Sequence, residues 1–166
     1  ENGPHFGAGI ADQITVELRS ASDYNNVVHQ ADHVNLSTSG LAMLTVPASL
    51  TGSYYITIRH RNSITTVSAT PVHFITGTVS HSFSSPSSAF GGNLLLMISG
   101  QYVIYGGDVN QDGVIDTGDM TPVDNDAANF TAGYLATDVN GDGTIDTGDI
   151  TIIDNNAATF VGAVTP

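Results

Sequence analysis

Asp108, Asn110, Asp112, Asp116 and Asp119 set oxygen-bearing side chains at positions one, three, five, nine and twelve of residues 108–119, with Gly113 at position six. Thirty residues on, Asp138, Asn140, Asp142, Asp146 and Asp149 repeat the spacing around Gly143. The chemistry open to such a set is coordination of a hard cation, which takes six or more oxygens at about 2.3–2.6 Å. Each stretch holds four Asp residues. Two carboxylates about 4 Å apart repel by on the order of 4 kcal/mol at an effective dielectric near 20. Only a cation makes that geometry stable, and calcium, one ion per stretch, is the expected cofactor.

The pattern is that of an EF-hand-type loop with Asp in place of the usual Glu at the last ligand, and glycine where the backbone turns sharply. The text after each loop also repeats: Asp124-Asn125 and Asp154-Asn155, Ala127-Ala128 and Ala157-Ala158, then Phe130 and Phe160. Two such matches are a duplication, not an accident of composition.

Charge follows the loops. The 166 residues carry three Arg, no Lys and sixteen acids, for a net charge of −13. Eleven Asp and no cation lie in residues 107–166, where periodic apolar residues mark a ligand set rather than a disordered acidic tail. No basic patch exists to meet phosphates, so nucleic acid is not an expected partner. No apolar run approaches 18 residues, so no membrane span is expected. Cysteine is absent, which removes disulfides and thiolate metal sites. The chain starts at Glu1 with neither Met nor a leader, and reads as processed and mature. Calcium at the levels such loops need places the protein outside the cell or on its surface.

Before the loops, residues 12–105 read as strands. Ile14, Val16 and Leu18 alternate with Thr15, Glu17 and Arg19, a half-buried strand. Residues 26–30, 41–46, 54–61, 64–69, 72–83, 94–98 and 101–105 are further strand candidates, broken by Pro47, Gly52, Pro71 and a hairpin turn at Ser99-Gly100. The expected fold class is mainly β. An N-terminal antiparallel β-sandwich over 1–105 is followed by a small α-helical calcium module over 106–166 with an extended tail. After each loop a helix is expected, capped by Asp119 or Asp149, with Pro122 confined to a first turn. The apolar residues 161–164 find no evident place in either core.

Paired loops of this kind, each with only the following helix, resemble the dockerin module of secreted bacterial proteins over about residues 106–160. The resemblance implies two loop–helix units packed with pseudo-two-fold symmetry around two calcium ions, and a cohesin partner. It implies as ligands Asp108, Asn110, Asp112, the carbonyl of Val114, Asp116 (directly or through water) and Asp119. The second set is Asp138, Asn140, Asp142, the carbonyl of Thr144, Asp146 and Asp149. Ile115 and Ile145 match the position that pairs the two loops in a short β-bridge. Where dockerins often carry Lys or Arg for the partner, this chain has Asp124, Asn125 and Asp126, and Asp154, Asn155 and Asn156. The run from Tyr54 through Asn62, followed by a Gly-Gly-Asp calcium module, also looks like the C-terminal region of large Bacteroidota-type surface proteins.

Other constellations stay bland. The six histidines show no metal spacing, and His29 and His33, four apart, fall in strand and turn text. Arg59-His60-Arg61-Asn62 reads as a strand end with a turn. No Gly-x-Ser-x-Gly elbow appears, and residues 1–106 hold only five scattered acids, so no enzyme is expected. The expected function is a non-enzymatic, extracellular, calcium-stabilised structural and assembly protein. Copies would join head to tail into a surface fibre or filament, with the tail as connector. The alternative is a cohesin-binding or carbohydrate-binding appendage of a larger secreted enzyme, a glycan resting on Tyr54, Tyr55, Tyr102 and Tyr105.

Overall fold

Alternating apolar residues make β1 (Ile10–Ser20) an inner strand of a five-stranded sheet in the computed structural model, which describes residues 5–166. β2 (Val27–Ser37), β1, β3 (Gly52–His60) and β4 (Ser63–Val67) lie side by side in that order, and β5 (Val72–Phe74) pairs with the start of β3. β1 runs antiparallel to both its neighbours. Ile14, Val16 and Val34 are buried on one face, packed with Ile56 and Ile58. The opposite face of β1 is not the solvated one that alternation predicts. Glu17 is buried there, neutralised by Arg19 at 2.6 Å and Arg59 at 3.3 Å. Arg19 in turn lies over the Tyr24 ring. A buried carboxylate persists because cations accompany it.

The antiparallel β architecture with α-helices confined to the C-terminal part is the fold class the sequence implies, but several strands differ in extent. β2 is longer than the expected 26–30: β1 pairs with it through residue 37, and a bulge with His33 at φ 54 takes up the polar Asp32-His33. Residues 41–46 make only an isolated bridge from Ala42 to Leu36. The run 72–83 stops as a strand at Phe74, shortly before Gly77 turns the backbone at φ 113. β6 (Leu95–Leu96) and β7 (Tyr102–Val103) form the expected hairpin, turning at Gly100 with φ 83.

The chain divides into two compact units. One holds residues 10–59, 65–104 and 164–166; the other holds His60–Ile64, Tyr105–Ala163 and the described residues up to Gly9. The second unit contains α1 (Thr117–Ala128) and α2 (Thr147–Ala157). Its core is Ile64, Ile115, Val123, Ile145, Ile153 and Val161. Burying each such side chain contributes roughly 1.5–3 kcal/mol. The helix caps are Asp116 and Asp146, not Asp119 and Asp149, which stand three residues in and complete capping boxes. Pro122 sits in the second turn of α1, beyond the first turn expected for it.

Ile115 and Ile145 are both core residues, yet they do not bridge to each other. The Ile115 N–H donates to Val161 O at 2.9 Å, and Val114 bridges to Gly162. In the other loop, Gly133 N–H donates to Gly143 O at 2.8 Å, and Ala132 bridges to Thr144. Each loop therefore pairs with the segment that leaves the helix of the other repeat. This crossing also gives the tail its place. Val161 is 8% exposed within the unit's own core, and Ala163 packs beside it. Val164, in the first unit, lies so close to Gly91 that a Cβ there would meet its Cγ1 at 2.7 Å.

Candidate metal centre

The two loops fold by the same local rules. Asn110 Oδ1 accepts from Asp112 N–H at 2.8 Å, and Asp112 Oδ1 from Val114 N–H at 2.9 Å. Asn140 and Asp142 do the same with Asp142 and Thr144 N–H groups, both at 2.8 Å. Short polar side chains that bind backbone two residues on coil the chain around a centre. Gly113 and Gly143, at φ 88 and 83, make the left-handed turn at position six. The last residue of each loop draws it shut. Asp119 Oδ1 accepts from Val109 and Asn110 N–H and Oδ2 from Asp116 N–H; Asp149 repeats this with Val139, Asn140 and Asp146. Both carboxylates are fully buried.

One oxygen lacks a partner. Asp108 is 2% exposed; its Oδ2 accepts from Gly113 N–H, while its Oδ1 is buried without any hydrogen bond. Burial, and next the nearby Asp119 charge, pushes the Asp108 carboxyl up to about 6. Asp138, equally buried, is raised by the same desolvation, opposed by hydrogen bonds from Gly143 and Gly141 and by Arg61. A buried, unsatisfied carboxylate oxygen beside a second buried carboxylate fits a cation. Among the described residues no three His or acidic side chains converge as a ready metal cluster. EF-hand-type loops instead mix carboxylate, amide and main-chain oxygens, and here loop N–H groups already hold the carboxylates.

Residues 106–157 match the family model of the dockerin type I domain. No curated protein matches the chain. Among solved structures, an N-terminal interface mutant of a type II cohesin–X–dockerin complex from Acetivibrio cellulolyticus is similar at 16% identity and a TM-score of 0.48. That alignment covers 95% of this chain and 94% of the other.

The dockerin-like loops are also braced from outside their own repeat. Asn156 of α2 donates to Gly106 O at 2.8 Å, just ahead of the first loop. Asp126, its counterpart in α1, accepts from the Thr137 hydroxyl at 2.6 Å, just ahead of the second. Of the residues standing where dockerins often present cations, Asp126 and Asn156 thus serve inward, while Asp124, Asn125, Asp154 and Asn155 are exposed. Val114 and Thr144, at position seven, lie in the crossed bridges.

The turn between β3 and β4 falls where the sequence places it, but sequence reasoning missed what it does. Arg61 Nη1 donates to the carbonyls of Leu135 and Asp138, the latter at 2.7 Å, and its guanidinium lies 4.4 Å from the Tyr134 ring centroid. Asn62, 1% exposed, donates to Ala136 O at 3.1 Å and Asp138 O at 2.9 Å. Gln111 Nε2 donates to Asp108 O at 2.6 Å in the first loop. Nothing in the spacing of Arg61-Asn62 announces that role. His29 lies on β2, and His33 is the left-handed residue of the bulge.

Proposed function

We propose that the chain is a non-catalytic, extracellular assembly module in which two calcium ions shape a dockerin-like unit that docks on a cohesin-like partner. The ligands are Asp108, Asn110, Asp112, the Val114 carbonyl, Asp116 and Asp119 for one ion. For the other they are Asp138, Asn140, Asp142, the Thr144 carbonyl, Asp146 and Asp149. The observation that carries this reading is the buried, unpartnered Oδ1 of Asp108 at the head of a loop whose backbone pattern its twin reproduces. A cation supplies the missing partner and offsets eight loop carboxylates.

Two other readings from the sequence lose support. The tail expected to connect copies into a filament lies against its own first loop through Gly162 and Val161. Two copies also repel, since two calcium ions offset only four of the thirteen net negative charges on each. Of the tyrosines expected to hold a glycan, Tyr54 and Tyr55 are half-buried and packed edge-on against Phe74, Tyr24 and Phe90.

Calorimetric titration of calcium into chelator-stripped protein tests the metal reading; two ions bound with helix formation are expected, and no heat would refute it. Surface plasmon resonance against purified cohesin modules tests docking. Calcium-dependent binding is expected, and silence across the panel would remove the docking reading.

A further inference from the structure

Phe130 and Phe160 occupy the same position of the repeat, just past α1 and α2, and they are 92% and 91% exposed. Both adopt the left-handed backbone, at φ 53 and 56. They close their helices alike: Phe130 N–H donates to Ala127 O and Thr131 N–H to Asp126 O, while Phe160 and Val161 N–H donate to Ala157 and Asn156 O. Glycine usually fills this closing position, because a Cβ strains the left-handed backbone and a bulky residue there is a true outlier. Neither that strain nor a ring left in water stabilises the fold, yet both repeats carry the same arrangement.

The surroundings are of one sign. A helix end carries partial negative charge, but neither helix has a basic residue in its last turn. Asp124 and Asp154 are exposed on the same helices. The chain's three Arg are engaged elsewhere, Arg19 and Arg59 with Glu17 and Arg61 with the Leu135 and Asp138 carbonyls. Cations that complement these helix ends are best supplied by a different molecule, since a second copy of this chain brings the same acidic surplus and its three Arg are already engaged.

We propose that Phe130 and Phe160 are aromatic anchors for a partner protein that presents an apolar socket ringed by Arg or Lys, an inference that rests on the docking reading above. The ring fills the socket, while the partner's cations meet the ring face, the helix-end carbonyls and the exposed Asp124 or Asp154.

The test compares the calcium-loaded chain with a Phe130→Gly/Phe160→Gly variant by surface plasmon resonance, with purified cohesin modules as the probe. Glycine suits the left-handed turn, so the thermal midpoint should hold or rise while affinity falls about tenfold or more. Raising salt from about 50 to about 500 mM should weaken the unaltered complex several-fold. Full affinity in the double variant would overturn the anchors and leave docking standing. Absence of binding by the unaltered chain would remove the docking reading and the anchors with it. A salt-independent complex would overturn the basic rim. If sedimentation shows self-association of the unaltered chain that the double variant loses, the occupant is a second copy and the proposal fails.

Discussion

Arg61 donates to the main-chain carbonyl of Asp138 at 2.7 Å, so a turn between two β-strands fixes the first residue of the second loop. Asn62 reaches the same carbonyl at 2.9 Å. Truncating Arg61 leaves the Leu135 and Asp138 carbonyls short of a charged donor, at a cost of about 1–3 kcal/mol. Arg61→Ala should lower the unfolding free energy by that amount in calcium. It should also weaken the second loop more than the first, read from the Gly143 and Gly113 amide signals during a calcium titration. Equal weakening of the two loops would count against the brace.

Removing calcium should unfold the dockerin-like unit and leave the sheet. The unit's core is six buried side chains around eight loop Asp residues, so binding energy is folding energy. Far-UV circular dichroism should lose its helical signal in chelator, and proteolysis should clip residues 107–160 first. A protease-resistant unit without metal would contradict this.

The metal-free unit should be sensitive to pH in a stated direction. The Asp108 carboxyl rises from 3.8 to about 6 on folding, so the folded form binds more protons than the unfolded one between those values. Stability is present below about 4 and is lost as pH climbs through 6. In chelator, helicity should therefore return on acidification from pH 7 toward 4, and a helical signal that fell over that range would count against the desolvated Asp108.

Asp112→Ala should weaken both calcium sites. The first loop pairs with the segment beyond α2, and the second with the segment beyond α1, so disorder in one loop loosens the support of the other. Calorimetry that finds the site at residues 138–149 unchanged would mean the loops act independently.

Deleting residues 161–166 should destabilise the dockerin-like unit rather than release a folded monomer. Val161 belongs to its core, at roughly 1.5–3 kcal/mol for the side chain alone. The deletion also removes the acceptor of the Ile115 N–H and the donor to Gly113 O. A truncated chain that unfolds at the same denaturant concentration would refute this placement of the tail.

The loops were legible because their oxygen-bearing side chains, glycines and spacing are local, and the left-handed Gly113 and Gly143 and the Asn110 and Asn140 turns stand where that spacing puts them. The alternation in β1 was legible for the same reason. Tertiary pairing was not. Glu17 reads as a solvent residue until Arg19 and Arg59 are brought to it, and Ile115 reads as a partner of Ile145 until Val161 arrives first. The left-handed backbone at Phe130 and Phe160 went unforeseen because propensity assigns that conformation to glycine, and neither residue is glycine. The helix caps shifted by three residues because Asp116 and Asp146 satisfy the first-turn amides while Asp119 and Asp149 are drawn back into their loops.

The crossed bridges also bear on where this chain can be divided. A cut at residue 133 separates the repeats in sequence, yet each fragment then holds the strand that the other's loop needs: residues 131–133 for loop 138–149, and residues 161–163 for loop 108–119. Neither half carries a complete hydrogen-bonded loop by itself. Mixed together, the two fragments present complementary edges, so the duplicated sequence encodes an interlocked pair and not two beads on a string.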